Sequence, residues 1–298
     1  MRPRHVLLGL LVVVIWGLNF IFIQVALGGI PPIFFAVLRF AFTAFPALLF
    51  VRPPRAPFRI LALYGLSIFA VQFGFLFTGM KVGVPAGLAS LLHQVQAFFT
   101  IALAMRVFGD RPSVWSWIGA AIAAAGIVVV ALHSQGEVHI AGIGLLLIGS
   151  MGWAVGNVSA KAAGAVNPFA LVVWGSLISL PPLLVVSLIL EGPAAIGAAF
   201  AHLSLAVAGA LAYITYVATL LGFSLWANLL RLYPSSMVAP FTLLVPVVGF
   251  VGAAVLLGEP LPGWKLGAAA LVLAGLGLNL FGARVAGVLA RLAAAGEP

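Results

Sequence analysis

From Val6 to Leu27 the chain carries no charged residue, and apolar stretches of similar length recur to its end. A bilayer's hydrocarbon core is about 30 Å thick, so a helix needs roughly 20 apolar residues to cross it. A helix-length window places such spans at 6–27, 33–51, 58–80, 85–108, 115–132, 141–162, 168–190, 203–227, 236–257 and 264–284. Turn chemistry separates them: Gly28-Gly29-Ile30-Pro31-Pro32, Arg52-Pro53-Pro54-Arg55, Arg111-Pro112-Ser113, Asn167-Pro168, Gly192-Pro193 and Pro260-Leu261-Pro262-Gly263. The fold class expected is an all-α integral membrane protein of ten transmembrane helices. With 64% hydrophobic and 6% charged residues, against roughly a quarter charged in soluble domains, the composition agrees.

The chain also repeats itself. Pro85 opens an apolar segment that closes on Gly109-Asp110; Pro234 opens one that closes on Gly258-Glu259, 149 positions further on. Trp16 and Asn19 match Trp153 and Asn157, Arg39 to Pro46 has the spacing of Trp174 to Pro181, and Gly74-Phe75 matches Gly222-Phe223. Two units are expected, 1–138 and 139–298, with five spans each. An odd number of spans inserts the second unit upside down, the inverted repeat of transporters whose substrate site lies near mid-membrane.

A net charge of +9 does not point to nucleic acid, because the basic residues are single and scattered between apolar spans. They read as topology signals. With the N-terminus cytoplasmic, Arg2, Arg4, Arg52, Arg55, Arg59, Arg106, Arg111, Lys161, Arg231, Arg284 and Arg291 fall inside and only Lys81 and Lys265 outside, eleven against two. Both termini are therefore expected in the cytoplasm, and Glu137, Glu191 and Glu259 on the outer side. The apolar run after Arg4 exceeds the 7–15 residues of a signal-peptide core and reads as a retained span.

No cysteine is present, which excludes thiolate metal sites and cysteine nucleophiles. There is no Gly-x-Ser-x-Gly, no metal-spaced histidine set and no intramembrane aspartate pair, so neither an enzyme nor a cofactor is expected.

Trp16-Gly17-Leu18-Asn19-Phe20, Leu38-Arg39-Phe40, Gln72-Phe73, Pro85 through Ser90, Gln96 through Thr100, Trp153 to Asn157, Ala239-Pro240 and Leu244 through Gly249 stand in this order. In these segments the chain resembles the drug/metabolite transporter superfamily, and within it the EamA-type ten-helix exporters, nearest to the O-acetylserine/cysteine exporter branch. It differs from that branch at Gln24, where a lysine is usual, and at His93, where a less polar residue is usual. The resemblance implies export of small metabolites, amino acids or their derivatives, across a bacterial inner membrane. A broader drug efflux role on the same fold is the alternative, though it would want an intramembrane anion.

Polar groups in a span find no partner in lipid and face the protein or a cavity. His93 and Gln96 share a face of the fourth span, with Ala89 and Thr100 a further turn away. Trp16 and Asn19 share a face of the first span, and Trp153, Asn157 and Lys161 follow at four-residue steps in the sixth. Asparagine both donates and accepts, which suits a zwitterion, but the two asparagines could equally clamp the halves together. Arg39 lies roughly 10 Å into the second span, where it snorkels, holds a carbonyl or binds a substrate carboxylate. Gln72, Trp174, Tyr216 and Thr242 complete the candidate lining. The expected partners are a small-molecule substrate and the lipid bilayer, with two driving forces open: protons through His93, whose ordinary pKa of about 6.5 suits titration, or facilitated diffusion down an outward gradient.

Overall fold

The computed structural model describes residues 1–133, 139–201, 203–233 and 235–295. Glu137, Pro234, Glu297 and the expected unit boundary at 138 therefore lie outside the described residues. The described residues form helices joined by short turns, without strands. We label them α1 (Pro3–Leu27), α2 (Pro32–Leu48), α3 (Phe58–Lys81), α4 (Ala86–Phe108), α5 (Val114–His133), α6 (Ile140–Ala162), α7 (Pro168–Leu190), α8 (Leu205–Leu229), α9 (Val245–Leu257) and α10 (Gly263–Ala295). Eight of these are long and apolar enough to cross a membrane; α2 and α9 are shorter.

Both short helices have a local cause. Expected over 33–51, α2 stops at Leu48, just before the proline-rich turn at Arg52. The segment before α9 begins with Ser235–Val238 and tightens into a 3-10 stretch over Ala239–Leu244. Pro240 lies in that stretch and lacks the amide an α-helix would use. A short helix at Gly192–Ala201 was not expected; the Gly192-Pro193 break starts it, with glycine at φ +80°.

Caps fix the other ends. Asn167 Oδ1 accepts from the Phe169 amide at 2.9 Å, starting α7, and Ser204 Oγ accepts from the Val207 amide at 3.2 Å, starting α8. Gly109 and Gly258 close α4 and α9 in the same left-handed conformation, φ 69° and 68°, which favours glycine at both ends of the repeated frame.

The helices pack in matched pairs. α2 crosses α7 and α5 lies along α10; α1 packs on α8 and α9, while α6 packs on α3 and α4. Exchanging α1–α5 with α6–α10 maps this pairing onto itself. Two irregular segments recur as well: π-helical turns at Leu66–Val71 in α3 and Tyr213–Leu221 in α8, and 3-10 turns at His93–Val95 in α4 and Ala239–Leu244 before α9. Such interruptions of the α ladder often mark functional sites. All four flank the centre of the bundle, where α6 comes close because Gly149 and Gly152 face the α3 backbone.

Candidate functional site

The interrupted helices surround a cavity of about 100 Å3. Trp16, Asn19 and Phe20 of α1, Arg39 of α2, Gln72, Phe73 and Leu76 of α3, and His93, Gln94 and Gln96 of α4 line one side. Trp153, Ala218, Phe223, Thr242 and Val245 complete it from the second half of the chain. Eight of the twelve residues expected from sequence thus meet here: Trp16, Asn19, Arg39, Gln72, His93, Gln96, Trp153 and Thr242.

The other four lie elsewhere. Asn157 donates to Gln96 Oε1 at 3.3 Å and Thr100 Oγ1 at 3.2 Å, holding α6 to α4 behind the cavity wall. Lys161 pairs with Asp110 at 2.7 Å, with both side chains about half exposed. Trp174 Nε1 donates to the Val51 carbonyl at 3.1 Å, and Tyr216 stands on the outside of the bundle at 46% exposure.

Arg39 is the most constrained group. It is 2% exposed, so it does not snorkel. Its Nε and Nη2 both donate to Thr219 Oγ1, at 3.2 and 2.9 Å, and its guanidinium carbon lies 3.9 Å from the centre of the Phe73 ring. Nη1 is buried without a hydrogen-bond partner. Asn19 Oδ1 and Gln72 Oε1 are likewise buried and unpartnered. An unpaired buried polar atom is costly, and an unpaired buried charge more so. The residues that carry these three unmet groups line one cavity, and no described Asp or Glu lines it.

Aromatic rings form another part of the wall. Trp16 Nε1 donates to the Ala218 carbonyl at 3.1 Å, and the ring packs against Phe223 and Trp226. His93 sits between Phe20 and Trp153, with ring centroids 6.4 and 5.3 Å away, and its Nδ1 is 3.5 Å from Ser150 Oγ. Phe73 and Phe223 each stand as the second residue after a π-helical turn, and both line the cavity. Phe75, matched to Phe223 by sequence, instead faces an apolar groove with Leu66, Pro182 and Val186.

The two ends of the bundle differ. At one, Glu191 accepts from the Ile33 and Phe34 amides at 2.6 and 2.9 Å, and Glu259 from the Ala86 and Gly87 amides at 2.8 and 3.3 Å. Carboxylates of the later helices thus cap the first turns of α2 and α4, where the helix dipole favours negative charge. Lys81 Nζ also donates to the Leu27 carbonyl at 2.6 Å, and every residue from Ala86 to Leu92 is buried. Toward the other end, no residue of Gln96–Phe108 is buried. A groove of about 1000 Å3, lined by Tyr64, Asn167, Phe169 and Trp226, reaches inward to Phe223, which also borders the central cavity.

Sequence reasoning missed the capping role of Glu191 and Glu259, the Thr219 acceptor and the aromatic lining by Phe20, Phe73 and Phe223. Phe73 and Phe223 lay within quoted motifs; the caps left no local signal, since each acts across more than 150 positions.

Comparison with known proteins agrees with this geometry. The profile of the EamA-like transporter family matches the chain twice, at residues 4–132 and 140–281. A probable amino-acid metabolite efflux pump of Salmonella typhimurium is 46% identical over 96% of this chain and 97% of its own length. One of the same description from Escherichia coli is 43% identical over 95% and 97%. A crystal structure at 20% identity shares the fold, with a TM-score of 0.63 over 95% of this chain and 99% of that one. The chain therefore belongs to the EamA-like transporter family, within the drug/metabolite transporter superfamily.

Proposed function

We propose that this protein exports small amino acids or their derivatives, such as cysteine or O-acetylserine, from the cytoplasm by alternating access. Ten membrane crossings in two inverted halves, 1–138 and 139–298, form the frame. The self-mapping pairing of the helices, the recurrent π and 3-10 turns and the double family match support it. α2 and α9 cross with their adjoining irregular residues.

The charge bias of eleven Lys and Arg against two supports an orientation with the carboxylate-capped end outside and both termini inside a bacterial inner membrane. In that orientation the observation carrying the proposal is the contrast between the ends. The cavity is sealed outward by Glu191, Glu259 and the buried first half of α4, and borders the inward groove through Phe223. This is the arrangement that loads from the cytoplasm. Trp16, Asn19, Arg39, Gln72, His93, Gln96, Trp153 and Thr242 form the substrate site. Asn157, Lys161, Trp174 and Tyr216 act from outside its lining, Asn157 by bracing Gln96.

Protons couple through His93, the titratable lining residue other than Arg39. The broader drug efflux reading is weaker, because the buried charge in the cavity is a cation and repels cationic drugs. Purified protein in vesicles loaded with unlabelled cysteine should accumulate labelled cysteine by counterflow. Absence of counterflow for every amino acid tried, with the fold intact, would overturn the proposal.

A further inference from the structure

We infer that the central cavity recognises both charged ends of a free zwitterionic amino acid, its carboxylate on Arg39 Nη1 and its ammonium on Asn19 Oδ1 and Gln72 Oε1. This rests on the exporter reading above and sharpens it to a substrate class.

The argument starts from a charge without a counter-ion. Arg39 is 98% buried, being 2% exposed, and Thr219, its hydrogen-bond partner, is neutral. The described acids, Asp110, Glu191 and Glu259, lie at helix ends, and none lines the cavity. Aromatic faces, chiefly Phe73 at 3.9 Å, soften the isolation of the guanidinium but leave Nη1 unmatched. A planar donor fork of this kind suits a carboxylate, and one arriving with the substrate would supply the missing charge.

The other unpartnered atoms determine the rest of the ligand. A plain organic acid would satisfy Nη1 and leave the oxygens of Asn19 and Gln72, 9% and 1% exposed, as they are. A plain amine would satisfy the oxygens and face the uncompensated arginine. Only a molecule carrying both groups meets all three atoms, and a site built to hydrogen-bond a group discriminates strongly against analogues lacking it.

The test uses three related probes: L-cysteine, cysteamine, which lacks the carboxylate, and 3-mercaptopropionate, which lacks the ammonium. The protein contains no cysteine, so thiol probes form no mixed disulfides with it. Competition against labelled cysteine counterflow should rank L-cysteine first, with each truncated probe weaker by about tenfold or more. Arg39→Lys should weaken L-cysteine by about tenfold while leaving cysteamine unchanged, so that discrimination collapses. Leu205→Ala, at an exposed position at the start of α8 and away from the cavity, serves as the control.

Cysteamine competing as well as L-cysteine in the unmodified protein would overturn the inference while leaving the exporter reading standing. So would an Arg39→Lys variant that loses both probes equally, which marks a structural role. Replacing chloride by gluconate should leave the ranking unchanged; if cysteamine loses potency only when chloride is removed, Nη1 holds chloride and the inference falls. If no amino acid gives counterflow and none alters tryptophan fluorescence in detergent, the exporter reading fails and the inference with it.

Discussion

Arg39 directs two of its nitrogens at a single oxygen, Thr219 Oγ1, 180 positions later in the chain. Thr219 in turn donates to the Ile214 carbonyl five residues back, inside the π-helical turn of α8. The wider π turn leaves that carbonyl within reach of the hydroxyl, whose oxygen is then free to accept from the arginine. The link joins α2 of the first half to an irregular segment of the second, so the charge at the cavity wall is held by the element best suited to bend.

Thr219→Val keeps the shape and removes the acceptor. It should leave the Arg39 donors buried without a partner and destabilise the protein by about 2–3 kcal/mol. Thermal unfolding in detergent should show a lowered midpoint, restored in large part by Thr219→Ser. A valine variant as stable as the parent would mean that Arg39 finds its stabilisation in the aromatic rings instead.

The capped end predicts a measurable gate. Glu259→Ala removes both acceptors from the Ala86 and Gly87 amides at the start of α4. Loss of a helix cap costs about 0.5–2 kcal/mol, enough to shift a two-state balance roughly fivefold. Leu92, fully buried in that half of α4, can be replaced by cysteine in a chain that has no other. Its labelling by an impermeant thiol reagent from outside should accelerate by about fivefold in the Glu259→Ala background. An unchanged rate would show that the cap fixes the helix start without holding the gate.

Much of this was legible in the sequence because lipid imposes one demand on every span. A polar residue amid apolar ones had to face inward, and Asn19, Arg39, Gln72, His93 and Gln96 do so. Helical spacing could not say which inward neighbour each would meet. Asn157, matched to Asn19 by sequence, reaches Gln96 and Thr100 rather than the cavity. The π turns, invisible to a count of 3.6 residues, shift the face presented beyond them, which is why Phe73 rather than Phe75 lines the cavity. The carboxylate caps were hidden for another reason. Glu191 and Glu259 sit in turns that look like solvent-exposed punctuation, and only the tertiary fold brings them to the first turns of α2 and α4.

Gly152 tests the close approach that shapes the site. A methyl group added there would stand 2.7 Å from the Ser67 carbonyl oxygen and 2.9 Å from the Gln72 amide nitrogen, both backbone atoms. Gly152→Ala should therefore force α6 away from the π turn of α3, at about 1–3 kcal/mol, and weaken substrate affinity through Gln72. Gly144, on the same helix with open space around it, provides the contrast. Gly144→Ala should be neutral or raise the melting midpoint, since alanine favours a helix over glycine by about 1 kcal/mol. Equal effects at both positions would remove the case for a packing constraint at Gly152.

His93 separates driving force from binding. It shares the cavity with Arg39, packs between Phe20 and Trp153, and meets only the Ser150 hydroxyl at 3.5 Å. Arg39 and His93 are the ionisable groups on the wall, so protonation of His93 places a second positive charge beside the first. Counterflow needs no gradient, whereas concentrative transport against the amino-acid gradient does. His93→Gln should therefore retain counterflow to within about twofold while losing the response of net flux to an imposed pH gradient. A glutamine variant that still responds to the gradient would remove His93 from the proton path and leave outward diffusion down the substrate's own gradient as the driving force.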